Sequence, residues 1–206
     1  MRKVVTLCGL AGSGKGTIAR MFANRYGWKY VDIGLIFRAI AYTSDTFREF
    51  SYLWEQGRAR IVYHGWAGDK DITQDLQSEE IAQKAARMAA NSLDQMIEIA
   101  ERILAGKDNL ICDGRNAGTT IFPNAKYKFY ATASAEVRAK RRQKDLQALG
   151  YQAEYQDVLR DIKKRDRIDS ERIRGKAEKP KDAIELDTER LSVEKSVELI
   201  ALIAKI

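Results

Sequence analysis

Apolar positions in this chain fall into two patterns, short unbroken runs and stripes spaced three or four residues apart. Lys3 to Leu7 is a run and predicts a short buried strand. A glycine-rich turn follows at once, then a helical pattern from about Lys15 to Tyr26. Lys29-Tyr30-Val31 predicts a second strand, and Leu35 to Tyr42 a short helix. From Ser44 to Gly68 the pattern turns irregular and aromatic-rich, with Phe47, Phe50, Tyr52, Trp54, Tyr63 and Trp66, which predicts an inserted subdomain outside the central sheet. Ser78 caps a long helix whose Ile81, Ala85, Met88, Ser92, Met96, Ala100 and Ile103 form one small and apolar face, ended by Gly106. Asn109 to Cys112 predicts a strand ending at Asp113-Gly114-Arg115, and Tyr127 to Ala131 another. Ala135 to Leu149 is a basic helix closed by Gly150, and a further helix runs from Glu154 to about Arg165. Ile184-Glu185-Leu186 is the last strand, and Ser192 caps a final helix carrying Val193, Val197, Ile200 and Ala204.

Strands alternating with helices predict the α/β class, a mostly parallel sheet with helices on both faces. In such sheets ligands bind beyond the carboxyl ends of the strands, where the turns after Leu7 and after Cys112 both lie. The 206 residues suffice for one core with insertions, so the expectation is a single domain over 1–206. Its insertion would span about 44–106 and a lid about 150–179.

Composition changes this picture little. At 45% hydrophobic and 32% charged the chain is ordinary globular material, with no apolar run near the roughly 18 residues of a spanning helix. The apolar stretch at the N-terminus is too short for a signal peptide. Cys8 and Cys112 read as buried strand-end residues rather than a disulfide or a metal site, and a cytoplasmic location is the default expectation. Charge adds more. The net +7 is concentrated between Arg138 and Lys181, where fifteen Lys and Arg face eight Asp and Glu. A surplus confined to one segment suits a focused anion site better than a duplex-binding face, so nucleic acid is not an expected partner.

Gly9-Leu10-Ala11-Gly12-Ser13-Gly14-Lys15-Gly16-Thr17 has the P-loop spacing, with the hydroxyl displaced one place to Thr17. Glycines let successive N–H groups turn toward an anion, and the following helix adds the positive end of its dipole. Gly9, Gly12, Ser13, Gly14, Lys15, Gly16 and Thr17 are therefore the candidate ATP-binding residues. Lys15 would reach the β- and γ-phosphates, and Thr17 would lie near Mg²⁺. Arg38 and Arg115 follow the second and third strands and can flank the space facing this loop. Two guanidiniums there could hold an acceptor phosphate in line with the γ-phosphorus. Arg165, Asp169 and Arg172 share one face if that segment is helical. A phosphate acceptor needs no general base, and the lone His64 reads as structural.

Longer stretches resemble one family. The Lys-Gly-Thr order is similar to the nucleoside monophosphate kinases, and Asp32-Ile33-Gly34-Leu35-Ile36-Phe37-Arg38-Ala39 resembles the Asp-Ser-Gly-Ala-x-Tyr-Arg segment of bacterial cytidylate kinases. The block Asp113-Gly114-Arg115-Asn116-Ala117-Gly118-Thr119, continuing to Phe122-Pro123-Asn124-Ala125, resembles their Asp-Gly-Arg-Asp-x-Gly-Thr-x-x-Phe-Pro-x-Ala. Glu136 to Arg142, Arg165 to Arg172 and Asp187 to Val193 align as well, and the similarity is weakest from Ser44 to Trp66. The resemblance implies a P-loop NTPase fold and γ-phosphoryl transfer from ATP to CMP or dCMP with Mg²⁺, by a monomer without membrane contact. It implies catalytic roles for Lys15, Arg115, Arg165 and Arg172, and a donor contact for Arg142. The acceptor would be held by Arg38, Arg115, Asn116, Arg165, Asp169 and Arg172, and Asp113 would orient the metal through water.

Several positions depart from the family pattern. Ile33 replaces a serine, Gln77 an arginine, Ala86 a serine, Asn116 an aspartate, and Gln95 falls where another arginine is expected. In the family these side chains read the base and help hold the acceptor. Three readings stay open: a CMP/dCMP kinase; a P-loop kinase for UMP, a modified nucleotide or another small molecule; and a nucleotide-sensing or nucleic-acid-binding P-loop protein without catalysis.

Overall fold

The computed structural model describes residues 2–44, 49–106, 108–148, 150–171 and 178–206. Five strands, β1 (Val4–Gly9), β2 (Lys29–Asp32), β6 (Leu110–Gly114), β7 (Tyr127–Thr132) and β8 (Ile184–Asp187), form a parallel sheet in the order β2-β6-β1-β7-β8. β1 reads as a continuous apolar run because both its faces are covered. Val5 and Leu7 face α1 (Lys15–Tyr26) and α7 (Val193–Ala204), while Cys8 faces α2 (Ile33–Thr43) and the insertion. On the first face Phe22 is fully buried, edge-on to Trp28 at 5.3 Å. Truncating a ring so enclosed costs about 3–5 kcal/mol.

The aromatic-rich segment is ordered differently from the irregular stretch expected. β3 (Phe50–Glu55), β4 (Arg58–Gly65) and β5 (Gly68–Asp71) form a separate antiparallel sheet. Phe50, Tyr52 and Ile61 turn inward and join the core beneath α2, so the aromatics follow the two-residue period of a strand. Phe47 lies outside the described residues. Tyr52 ties this sheet to the main one, its hydroxyl accepting from Asp32 N–H at 3.0 Å and donating to Tyr30 C=O at 3.1 Å.

The expected long helix is two helices, α3 (Glu79–Asn91) and α4 (Leu93–Ile103). Ser92 leaves helical geometry at φ −136°, ψ 38°. Asn91 and Ser92 are weak helix formers, and the apolar stripe continues in phase across them, which hides the break in the sequence. α5 (Ala135–Ala148) lies close to expectation, whereas α6 (Tyr155–Glu171) runs past Arg165. α5 and α6 pack through Ala139, Val158 and Ile162. Cys8 and Cys112 are buried free thiols. Among the described residues no helix is long and apolar enough to cross a membrane.

Candidate functional site

β2, β6 and β1 lie side by side, with Asp32 in register with Asp113 and Cys8 with Gly114. The segments leaving these strand ends therefore converge: the loop 9–17 after β1, Ile33 after β2, and Arg115 and Asn116 after β6. They line a cleft of about 770 Å³, together with Lys15, Asp32, Arg38 and Asp113. α3 forms one wall and Arg165, Ile168 and Asp169 of α6 another.

The loop is built to receive an anion. Gly14 opens α1 with φ 83°, and the helix has neither a side-chain cap nor an acidic residue in its first turn. Its leading N–H groups and its dipole are thus left for a negatively charged ligand. Lys15 Nζ donates to the Leu10 carbonyl at 3.2 Å, folding back over the loop. Burial lowers the Lys15 pKa; Asp113 and Asp32 oppose that shift and Arg115 adds to it. Residue 16 must be small for a local reason. A Cβ on Gly16 would lie 2.8 Å from Asp113 Oδ2, so the carboxylate fills the space a side chain would need.

Asp113 is buried and accepts the Tyr30 hydroxyl at 3.1 Å. Burial pushes its pKa up to about 6, with Asp32 adding repulsion and Lys15 and Tyr30 opposing. Two facing carboxylates that repel each other fit a divalent cation nearby. Among the described residues no group of three or more potential ligands exists that could hold one unaided. Mg²⁺ suits this poverty of ligands, because it keeps several waters and takes one or two carboxylates together with substrate phosphates.

The raised pKa has a consequence for stability. An aspartate whose folded pKa exceeds its unfolded value stabilises the fold most when protonated, below about pH 4, and that contribution is lost as pH rises through about 6. Asp113→Asn is therefore expected to raise the melting temperature of ligand-free protein at about pH 8 by several degrees, within a ceiling of about 3 kcal/mol. The gain should vanish near pH 4. Equal shifts at both pH values in thermal unfolding would contradict it.

The remaining sequence candidates divide. Arg38 is half-buried, with Nη2 3.9 Å from Asp32 Oδ2. Arg115 pairs with Asp169 of α6, whose side chain is 1% exposed. Asn116 is buried at the cleft and its carbonyl accepts from Thr119 and Thr120 N–H. Arg165 reaches across to Glu79 of α3 at 3.9 Å. Thr17 is exposed and lines a neighbouring hollow with Arg20, Met21 and Asn24 rather than the cleft. Arg142 is exposed on α5, and Arg172 lies outside the described residues. Of the departures from the family pattern, Ile33 and Ala86 line the cleft, while Gln77 and Gln95 are exposed and do not.

Sequence reasoning missed several supports. Thr188, in the turn after β8, donates from Oγ1 to Ser13 C=O at 3.0 Å, and Arg141 holds Thr188 through its carbonyl at 2.6 Å. Arg138 donates to Ala11 C=O at 3.2 Å. These arginines sat in a basic helix where nothing in the spacing distinguished them from solvated neighbours. The Tyr30 contact with Asp113 was equally hidden, since the two lie on different strands.

The family model for cytidylate kinase matches residues 5–205. A cytidylate kinase of Clostridium botulinum (strain Langeland) is 34% identical over 210 residues, covering 98% of this chain and 97% of that protein. One of Fusobacterium nucleatum is 34% identical over 208 residues, covering 96% and 95%. A solved structure from Eubacterium ventriosum aligns with a TM-score of 0.52 at 13% identity, covering 99% of each chain, a likeness of fold alone. A glycine-rich loop, an apposed carboxylate and arginines around one cleft accompany a match along almost the whole chain, and this protein belongs to the cytidylate kinase family.

Proposed function

We propose that this chain transfers the γ-phosphoryl group of ATP to CMP or dCMP. One observation carries the reading: a single cleft joins Lys15 and Asp113 at the donor loop to Arg38, Arg115, Asn116, Arg165 and Asp169. The loop N–H groups and Lys15 bind the donor phosphates. Arg115 and Arg38 orient the acceptor phosphate, whose oxygen is already ionised and attacks without a base. Arg165 adds positive charge over the transferring group, where charge spreads onto the equatorial oxygens. Asp113 would hold Mg²⁺ through water, and the ion would supply charge neutralisation between the phosphates. α6 lines one side of the cleft with Arg165, Ile168 and Asp169, where it would limit the water that competes as acceptor.

A second reading concerns the base. The α3 wall presents Ala82, Ala85, Ala86, Ala89 and Ala90, and Ile33 and Phe37 face the same cleft. Apolar surface discriminates pyrimidines weakly, whereas a site that hydrogen-bonds its substrate can reject an analogue by about 10⁴-fold. CMP and dCMP are expected to be the best acceptors, with kcat/KM for CMP over UMP below about a thousandfold. A coupled assay across CMP, dCMP, UMP, dUMP, dTMP, AMP and GMP tests both statements. A larger preference would show that other groups read cytosine. No turnover of any acceptor, with ATP still bound, would overturn the kinase assignment.

A further inference from the structure

Arg138 is 3% exposed, and its guanidinium joins three parts of the molecule. Nε donates to Ala133 C=O at 3.0 Å, at the end of β7. Nη1 donates to Ala11 C=O in the donor loop at 3.2 Å. Nη1 and Nη2 together grip Asp166 of α6, at 2.9 and 2.6 Å. The donor loop also rests on the backbone of this residue, since a Cβ on Gly12 would lie 3.3 Å from the Arg138 carbonyl oxygen.

Asp166 sits at a telling place on α6. The apolar seam between α5 and α6 ends at Ile162. Beyond it, contact with α5 is made by charge, through an exposed Lys163–Glu136 pair at 3.3 Å and the more buried Arg138–Asp166 fork. Asp166 is flanked by Arg165, which faces Glu79, and by Asp169 one turn on, which pairs with Arg115. The stretch of α6 that reaches the acceptor side is thus referenced to the donor loop through one bidentate pair. A forked guanidinium–carboxylate contact fixes orientation as well as distance, which an ammonium cannot do.

We propose that Asp166 is a positioning residue: through Arg138 it couples occupancy of the donor loop to the placement of Arg165 and Asp169 over the acceptor. This inference rests on the kinase reading, and one readout is chosen to be independent of turnover. Hydrogen exchange across 155–171 should slow when wild-type protein binds a non-hydrolysable ATP analogue, and the slowing should be lost in Asp166→Asn. By calorimetry, the analogue should tighten CMP binding to wild type, and that factor should fall to about one in Asp166→Asn. Binary affinities should stay within about threefold while kcat drops about 10- to 100-fold. Arg138→Lys, which keeps the charge but loses the fork, should lose the same coupling and exchange protection and in addition weaken ATP binding, because Ala11 loses its donor. The coupling factor of the double variant should match that of either single.

An Asp166→Asn protein that keeps wild-type coupling and exchange protection would overturn the proposal, whatever its kcat. So would a wild type in which the analogue neither protects 155–171 nor tightens CMP. Additive losses of coupling in the double variant would mean that the two residues act separately, again overturning it. If wild type phosphorylates no acceptor, the kinase reading fails by itself, and the exchange measurement still decides whether Asp166 links loop to helix.

Discussion

Lys15→Ala is expected to lower turnover by at least about a hundredfold and to leave the thermal unfolding of the ligand-free protein nearly unchanged. Removing one preorganised charge donor from a water-excluded site costs about 10² to 10³ in rate. Lys15 supplies more than a dipole, and the two α5 arginines that approach the loop are held elsewhere. Arg141 approaches the loop at Gly14, but its guanidinium is engaged by the Thr188 carbonyl and hydroxyl at 2.6 and 3.0 Å. Arg138 is committed to Ala11, Ala133 and Asp166. The small stability effect follows from burial, which already lowers the Lys15 pKa and so offsets the attraction of Asp113. Steady-state kinetics and thermal unfolding on one preparation test this. More than about a tenth of wild-type turnover, with normal unfolding, would show that the loop is not the donor site.

The sequence made the donor side legible because its chemistry is contiguous. Glycine spacing, lysine and helix start sit within nine residues, and a strand before them places the group at the carboxyl end of the sheet. The Asp113-Gly114-Arg115 turn was legible for the same reason. Contacts joining distant segments were not. Asp32 and Asp113 become neighbours only because β6 enters the sheet between β2 and β1, a topology that no local pattern encodes. Arg165 and Asp169 were recognised as one face, yet the pairing of Asp169 with Arg115 depends on how α6 crosses the cleft. The strands of the insertion were not legible, although its separation from the central sheet was, because its inward residues Phe50, Tyr52 and Ile61 are few and lie among other aromatics. Phe50 and Tyr52 follow the two-residue period, and the Gln56-Gly57 turn completes a hairpin, with Glu55 opposite Arg58.

Arg115→Ala is expected to separate the two substrates. A charge-assisted bidentate contact with phosphate is worth several kcal/mol, so kcat/KM for the acceptor should fall about 100- to 1,000-fold. ATP affinity should change less than about threefold. The reason lies in the sign of the Arg115–Lys15 interaction: Arg115 helps lower the Lys15 pKa, so removing it favours the charged lysine that the donor requires. Stability should move independently of both. Asp169 is buried beside Arg115, and truncating the arginine takes a cation from a carboxylate that is 1% exposed. Melting temperature should therefore drop by several degrees in Arg115→Ala and recover in Arg115→Ala/Asp169→Asn, where no buried charge is left behind. Acceptor use should not recover in the double variant, because a neutral amide in place of the carboxylate restores the packing and not the clamp. Calorimetry with ATP, kinetics with CMP and thermal unfolding on the three proteins settle the matter. Equal losses for donor and acceptor in Arg115→Ala, persisting after stability is restored, would show that Arg115 shapes the whole cleft instead of holding the acceptor phosphate.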